Sequence, residues 1–123
     1  MASKETRSFP FFIKSQCWEK ARPVEGRNPA RWRYDAVGNV VLRQLRGCKG
    51  ALCHEYDHIK PYSDGGKSTL ENCQVLQTAV NRFKSDKNPS DEEMIQRSLN
   101  ERLSQREMDL IEKAIYGDIK TNP

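Results

Sequence analysis

Residues 52–85 compress strand, turn, strand and helix into one short stretch, and this constrains the fold more than any other feature of the chain. Residues 52–60, Leu-Cys-His-Glu-Tyr-Asp-His-Ile-Lys, read as a strand, ended by Pro61 because proline has no N–H for a strand ladder. Ser63-Asp64-Gly65-Gly66-Lys67-Ser68 has the composition of a turn. A short strand over Cys73–Leu76 follows, then a helix opened by Thr78 and running to about Ser85. Two short strands and one helix make a small α+β unit whose close spacing brings a strand residue and a helix residue to a common point.

The flanks have different patterns. Residues 1–30 are punctuated by Pro, Arg and Lys and read as a basic arm with one short helix near Ser15–Ala21. The aromatics Phe9–Phe12 and Trp18, and Trp32 beyond the arm, are expected to pack on the domain or on a second chain rather than to stack on bases. Arg33-Tyr34-Asp35 and Val40-Val41-Leu42 around Gly38-Asn39 form a hairpin. Beyond Asn88-Pro89, Ser90 with Glu93 and Ser104 with Glu107 are capping-box signatures. Met94, Ile95, Leu99 and Leu103, then Leu110, Ile111, Ala114 and Ile115 up to Gly117, make an apolar stripe at helical spacing. The expected organisation is an arm over 1–30, a central domain over 31–87, and a C-terminal extension over 88–123, its one or two helices packed on that domain.

Charge separates these regions. The chain carries 21 Lys and Arg against 17 Asp and Glu, a formal +4. Residues 1–61 contribute +6, residues 62–90 +1 and residues 91–123 −3. A basic front points to a polyanionic partner. Part of the tail's acidity is helix chemistry, since Asp91, Glu92 and Glu93 fall in a first turn, where they favour the helix dipole. No apolar run approaches the roughly 18 residues of a membrane span. The start lacks the apolar core of a secretory signal, and Glu5, Glu19 and Glu25 argue against an acid-poor transit peptide. An intracellular protein is expected, with nucleus, cytosol and organelle left open. Cys17, Cys48, Cys53 and Cys73 are then thiols in a reducing compartment or metal ligands.

Asp57 and His58 are adjacent on the predicted strand and therefore point to opposite faces, one free to bind a metal while the other addresses a substrate. His54 shares the face of His58. Asn72 opens the second strand, and Asn81 lies inside the helix, where asparagine is mildly unfavourable and asks for a reason. Two oxygen ligands, Asp57 and Asn81, suit a hard cation such as Mg²⁺ that keeps several waters.

The order Asp57-His58, Gly65-Gly66, Asn72, then Asn81 with Lys84, resembles the signature of the HNH endonucleases, the ββα-metal nucleases, in the variant with Asn at the third position. More weakly, Arg31-Trp32-Arg33 and Asp35-Ala36-Val37-Gly38-Asn39 resemble the hairpin that precedes the motif in one branch of these enzymes. The resemblance implies a metal-dependent endonuclease acting on DNA ahead of RNA. His58 would be the general base towards water, and Asp57 and Asn81 would hold one divalent ion, Mg²⁺ ahead of Mn²⁺ or another. Asn72 would tie strand to loop and so fix His58, while Gly65 and Gly66 would let the backbone turn. Lys84 first, then Arg82 and Lys60, would contact phosphate. One such site cuts one strand, which makes a homodimer a natural arrangement.

Many HNH proteins carry two Cys-x-x-Cys pairs around a structural zinc. Here Cys48 and Cys53 have four residues between them, and Gln77 and Val80 stand where the second pair would fall. A zinc held by Cys48, Cys53 and Cys73 with Cys17 or His54 is therefore a minor expectation beside buried or free thiols. The alternative reading of the whole is a nucleic-acid-binding module on the same scaffold without catalysis, because Asn is a weaker ligand than His or carboxylate.

Overall fold

In the computed structural model, residues 8–99 and 102–121 are described; residues 1–7 of the arm lie outside them. Helix α1 (Phe11–Lys20) opens four residues earlier than Ser15, because the Pro10 carbonyl accepts from the amides of Ile13 and Lys14. It buries Cys17 and Trp18, and Lys20 Nζ donates to the Leu70 carbonyl at 2.6 Å. The arm is thus seated on the domain, where Phe9, Cys17 and Trp18 share a core with Val41, Cys73 and Val75.

Strands β1 (Trp32–Tyr34) and β2 (Val40–Leu42) form an antiparallel hairpin. Its turn is organised by buried Asp35, whose carboxylate accepts from the amides of Val37, Asn39 and Gln77. The last of these bonds fastens the hairpin to the second sheet, where β3 (His54–His58) pairs antiparallel with β4 (Cys73–Gln77), His54 opposite Gln77 and His58 opposite Cys73. Between them run two 3₁₀ turns, Tyr62–Asp64 and Leu70–Asn72. Helix α2 (Thr78–Lys84) follows β4 at once and packs back on the ribbon, burying Val80 with Leu76 and Met94.

The tail forms two helices, α3 (Asp91–Gln96) and α4 (Gln105–Tyr116), and Ser90 with Glu93 and Ser104 with Glu107 both make complete capping boxes. Gly117 ends α4 with φ of 85°, the left-handed conformation that glycine adopts without a Cβ penalty. The buried face differs from the expected stripe. Leu110 and Ile115 are exposed, whereas Met108 and Ile111 pack on Trp32 and Leu42 and Glu112 is fully buried. Trp32, an aromatic with a polar N–H, sets this register, since its indole donates to Glu112 Oε1 at 2.8 Å.

Cysteine usage also departs from expectation. Cys48 and Cys53 are joined by a disulfide, while Cys17 and Cys73 are free and buried. Cys53 precedes His54 at one end of the ribbon, whereas Cys73 stands opposite His58 at the other. A strand advances about 3.3 Å per residue, so Cys48, Cys53 and Cys73 are too far apart to share one tetrahedral zinc.

Candidate active site

Alternation along β3 turns His54, Tyr56 and His58 to one face and Glu55 and Asp57 to the other, towards α2. His58 is half-buried in a cleft of about 350 Å³ lined also by Phe9, Lys14, Arg46, Glu55 and Asn81. The Phe9 ring stacks on its imidazole with centroids 4.1 Å apart, and Nε2 shares a hydrogen bond of 2.8 Å with Ser68 Oγ. The edge of Tyr62 approaches from a third side. These contacts restrict the ring to few orientations.

The loop after β3 is held by Asn72. Its Oδ1 accepts from the Lys60 amide at 2.8 Å, and its Nδ2 donates to the carbonyls of Lys60 and Lys67 at 3.0 and 2.9 Å. A Cβ on Gly66 would run into the Lys60 carbonyl and the Asn72 amide, and Gly65 has φ of 87°. The Gly-Gly pair thus serves two separate needs, a left-handed turn at the first residue and a close approach at the second.

On the α2 side two pairs lie side by side. Asn81 Nδ2 donates to Glu55 Oε1 at 3.1 Å, and Arg82 lies 3.3 Å from Glu55 Oε2. One turn on, Lys84 Nζ sits 3.1 Å from Asp57 Oδ2 and donates to the His58 carbonyl at 2.9 Å. Gln74 Nε2 also donates to Asp57. Burial pushes the Asp57 carboxyl above its ordinary value, and the hydrogen bond from Gln74 and the Lys84 charge only partly oppose this.

Asp57 therefore faces the helix that carries Asn81, but the two side chains answer to different partners and no hydrogen bond joins them. Lys84, expected first among the phosphate contacts, is only 3% exposed and neutralises Asp57 instead. The reason is the charge of Asp57, which cannot be left alone in a poorly solvated pocket. Arg82 and Lys60 are exposed. Sequence reasoning missed Glu55, although its place two residues before Asp57 puts it on the same face. It also missed Phe9 and Ser68, which touch His58, and Lys14 and Arg46, which line its cleft; all come from other segments and leave no local signal.

Among the described residues, no three His, Cys, Asp or Glu side chains form a cluster for a metal. Donor chemistry nevertheless fits a hard divalent ion: Asp57, Asn81 and Glu55 all offer oxygen, and the Lys84 ammonium already stands as a cation on Asp57 and a main-chain carbonyl.

Residues 45–86 match the family model described as HNH endonuclease, which covers β3, β4, α2 and the loop before them. No curated protein and no solved structure gives a significant match.

Proposed function

We propose, from the HNH endonuclease domain at residues 45–86, that the chain hydrolyses phosphodiester bonds in DNA with the help of one divalent ion. The observation that carries the reading is His58 in a cleft with Asn81 and Glu55, its ring held by Phe9 and Ser68. A neutral imidazole takes a proton from water as that water attacks phosphorus. The ring contacts keep this base in one place, and the Asn72 bonds to Lys60 hold the loop that follows it. Asp57 and Asn81 would hold the ion, Mg²⁺ or Mn²⁺, with Glu55 beside Asn81. The ion would supply Lewis-acid stabilisation of charge developing on the phosphate and the leaving oxygen.

A second reading, binding without cleavage, draws on the Asp57–Lys84 pair, which occupies the carboxylate assigned to the ion. Plasmid nicking in Mg²⁺ or Mn²⁺ separates the two. The wild type should nick, and His58→Ala should lose at least about 100-fold of the rate, the lower end for a general base, with an unchanged circular dichroism spectrum. An intact plasmid across metals and pH, with nucleic-acid binding retained, would favour the second reading.

A further inference from the structure

The His58 cleft continues into a second groove of about 290 Å³, and the two share Lys14, Arg46 and Tyr56 as walls. Arg43 and Phe11 complete the groove on the side away from His58. The basic residues of this chain fall into two populations. Arg27 and Arg31 are bound by carboxylates of the tail, Arg27 by Asp109 at 2.6 Å and Arg31 by Glu112 and Asp118 at 2.8 and 2.7 Å. Arg33 is used up on the main-chain carbonyls of Pro29, Glu19 and Ala21. Lys14, Arg43 and Arg46 have no salt bridge among the described residues.

Phe11 makes the second observation. It is 77% exposed at the lip of this groove, while its neighbour Phe9 is buried against His58. No described carboxylate neutralises the three cations, and Arg43 is held only by Ser15 Oγ at 3.4 Å and the Trp18 ring. A bare aromatic ring beside three such cations is the pairing that nucleic-acid strands recognise, phosphates on the charges and a base on the ring. In a duplex the bases are stacked on one another and cannot cover such a ring.

We propose that this groove seats an unpaired nucleic-acid strand leading into the His58 cleft, its phosphates on Lys14, Arg43 and Arg46 and a base on Phe11. The inference rests on the nuclease reading of that cleft, and it makes the substrate a nucleic acid with a single-stranded segment.

The test is fluorescence anisotropy of the full chain in EDTA, where cleavage is suppressed, against a labelled single-stranded oligonucleotide and its blunt duplex. The single strand should bind more tightly. Lys14→Gln/Arg46→Gln should weaken that binding at least about tenfold and flatten its log–log salt slope by about 1.4, the loss of two phosphate contacts. Phe11→Ala should weaken single-strand binding at least about fivefold and leave duplex binding unchanged. Arg106→Gln/Lys113→Gln, the same charge removed from the surface of α4, should change neither, and thermal melts should show every variant folded. Equal losses from the two double variants, or tighter duplex binding with Phe11→Ala inert, would overturn the proposal. Because binding is read without catalysis, failed nicking with this pattern intact would count against the nuclease reading alone.

Discussion

Arg27 and Arg31, and likewise Lys14, Arg43 and Arg46, come from the same basic stretch of sequence but meet opposite surroundings. The first two close over Glu112, which is fully buried and also accepts from the Trp32 indole and the Lys120 amide at 2.8 and 2.7 Å. Burial pushes the Glu112 carboxyl upward, but the bonds from Lys120, Trp32 and Arg31 outweigh it and hold the group below its ordinary value. The second set lines open grooves in which the one acid, Glu55, is paired with Arg82. The +6 of the front half is therefore divided: part of it fastens the acidic tail to the hairpin, and Lys14, Arg43 and Arg46 are left for the nucleic-acid strand proposed above. Net charge alone could not make this division, because it depends on which cations the tail reaches.

The largest expected effect comes from breaking the sealed side. Glu112→Ala removes the buried acid that Arg27 and Arg31 share, leaving them only Asp109 and Asp118, and takes from the Trp32 indole its acceptor. Removing one partner of a buried pair costs about 3–5 kcal/mol, which urea denaturation would register. An effect under 1 kcal/mol would show that Asp109 and Asp118 suffice to hold the two arginines, and the contrast between the two sides would fail.

The two histidines of β3 repeat the contrast within one strand. His54 is fully buried between Trp18 and Tyr56, with neither ring nitrogen hydrogen-bonded, whereas His58 lies in the cleft. Burial lowers the His54 pKa from 6.5 to about 4. The unfolded chain thus takes up the proton first, so stability is full above pH 6.5 and falls as the pH drops towards 4. The expected loss is about 3 kcal/mol at 1.36 kcal/mol per unit. Denaturation midpoints followed from pH 7 to pH 4 should show it, and His54→Leu should flatten this window. The contribution of Glu112 starts to be lost only as the pH falls through the ordinary carboxylate range, below most of the His54 window, so a single acid transition shared by both groups would contradict this ordering.

Gly66 joins the ordered ribbon to the open cleft. Gly66→Ala forces a Cβ into the Lys60 carbonyl and the Asn72 amide, so the backbone must shift, at a cost of about 3 kcal/mol, the upper end usual for overpacking. The more telling readout is cleavage. If the Asn72–Lys60 bonds position His58, nicking should fall further than the fraction of folded protein does, and an equal fall would reduce Gly66 to a purely structural role.

How much of this was legible in the sequence depended on the range of the contacts. The ribbon and α2 were readable because strand alternation, the Gly-Gly turn and the helix start are local, and the match over residues 45–86 lies on the same segment. Both capping boxes were readable for the same reason. Asp57 and Asn81 were expected to meet at a common point, but each takes a different partner, and those partners were not legible. A carboxylate chooses among Lys84, Gln74 and an ion by distances of an ångström, which residue order does not encode. The burial of Lys84 followed from that choice. The disulfide between Cys48 and Cys53 and the seating of α1 against β4 were invisible too, since each depends on how a loop or helix folds back. Hydrophobic spacing on α4 pointed to Leu110 and Ile115, but a buried ion cluster turned the helix towards Glu112.

The smallest expected effect tests the open side directly. Arg82 and Glu55 form a pair 3.3 Å apart, with side chains 51% and 25% exposed, and Asn81 shares the same carboxylate. Exposed pairs contribute about 0–1 kcal/mol, so Arg82→Gln should move the urea midpoint far less than Glu112→Ala does. The arginine also holds Glu55 away from full freedom, and its removal leaves Asn81 as the main donor to that carboxylate. Nicking measured across Mg²⁺ concentrations should then keep its maximum rate within about threefold while the half-saturating metal concentration shifts. A loss of stability as large as that of Glu112→Ala would mean that the cleft is as sealed as the tail cluster. A null effect on the metal titration would remove Glu55 from the neighbourhood of the ion and leave Asp57 and Asn81 to hold it alone.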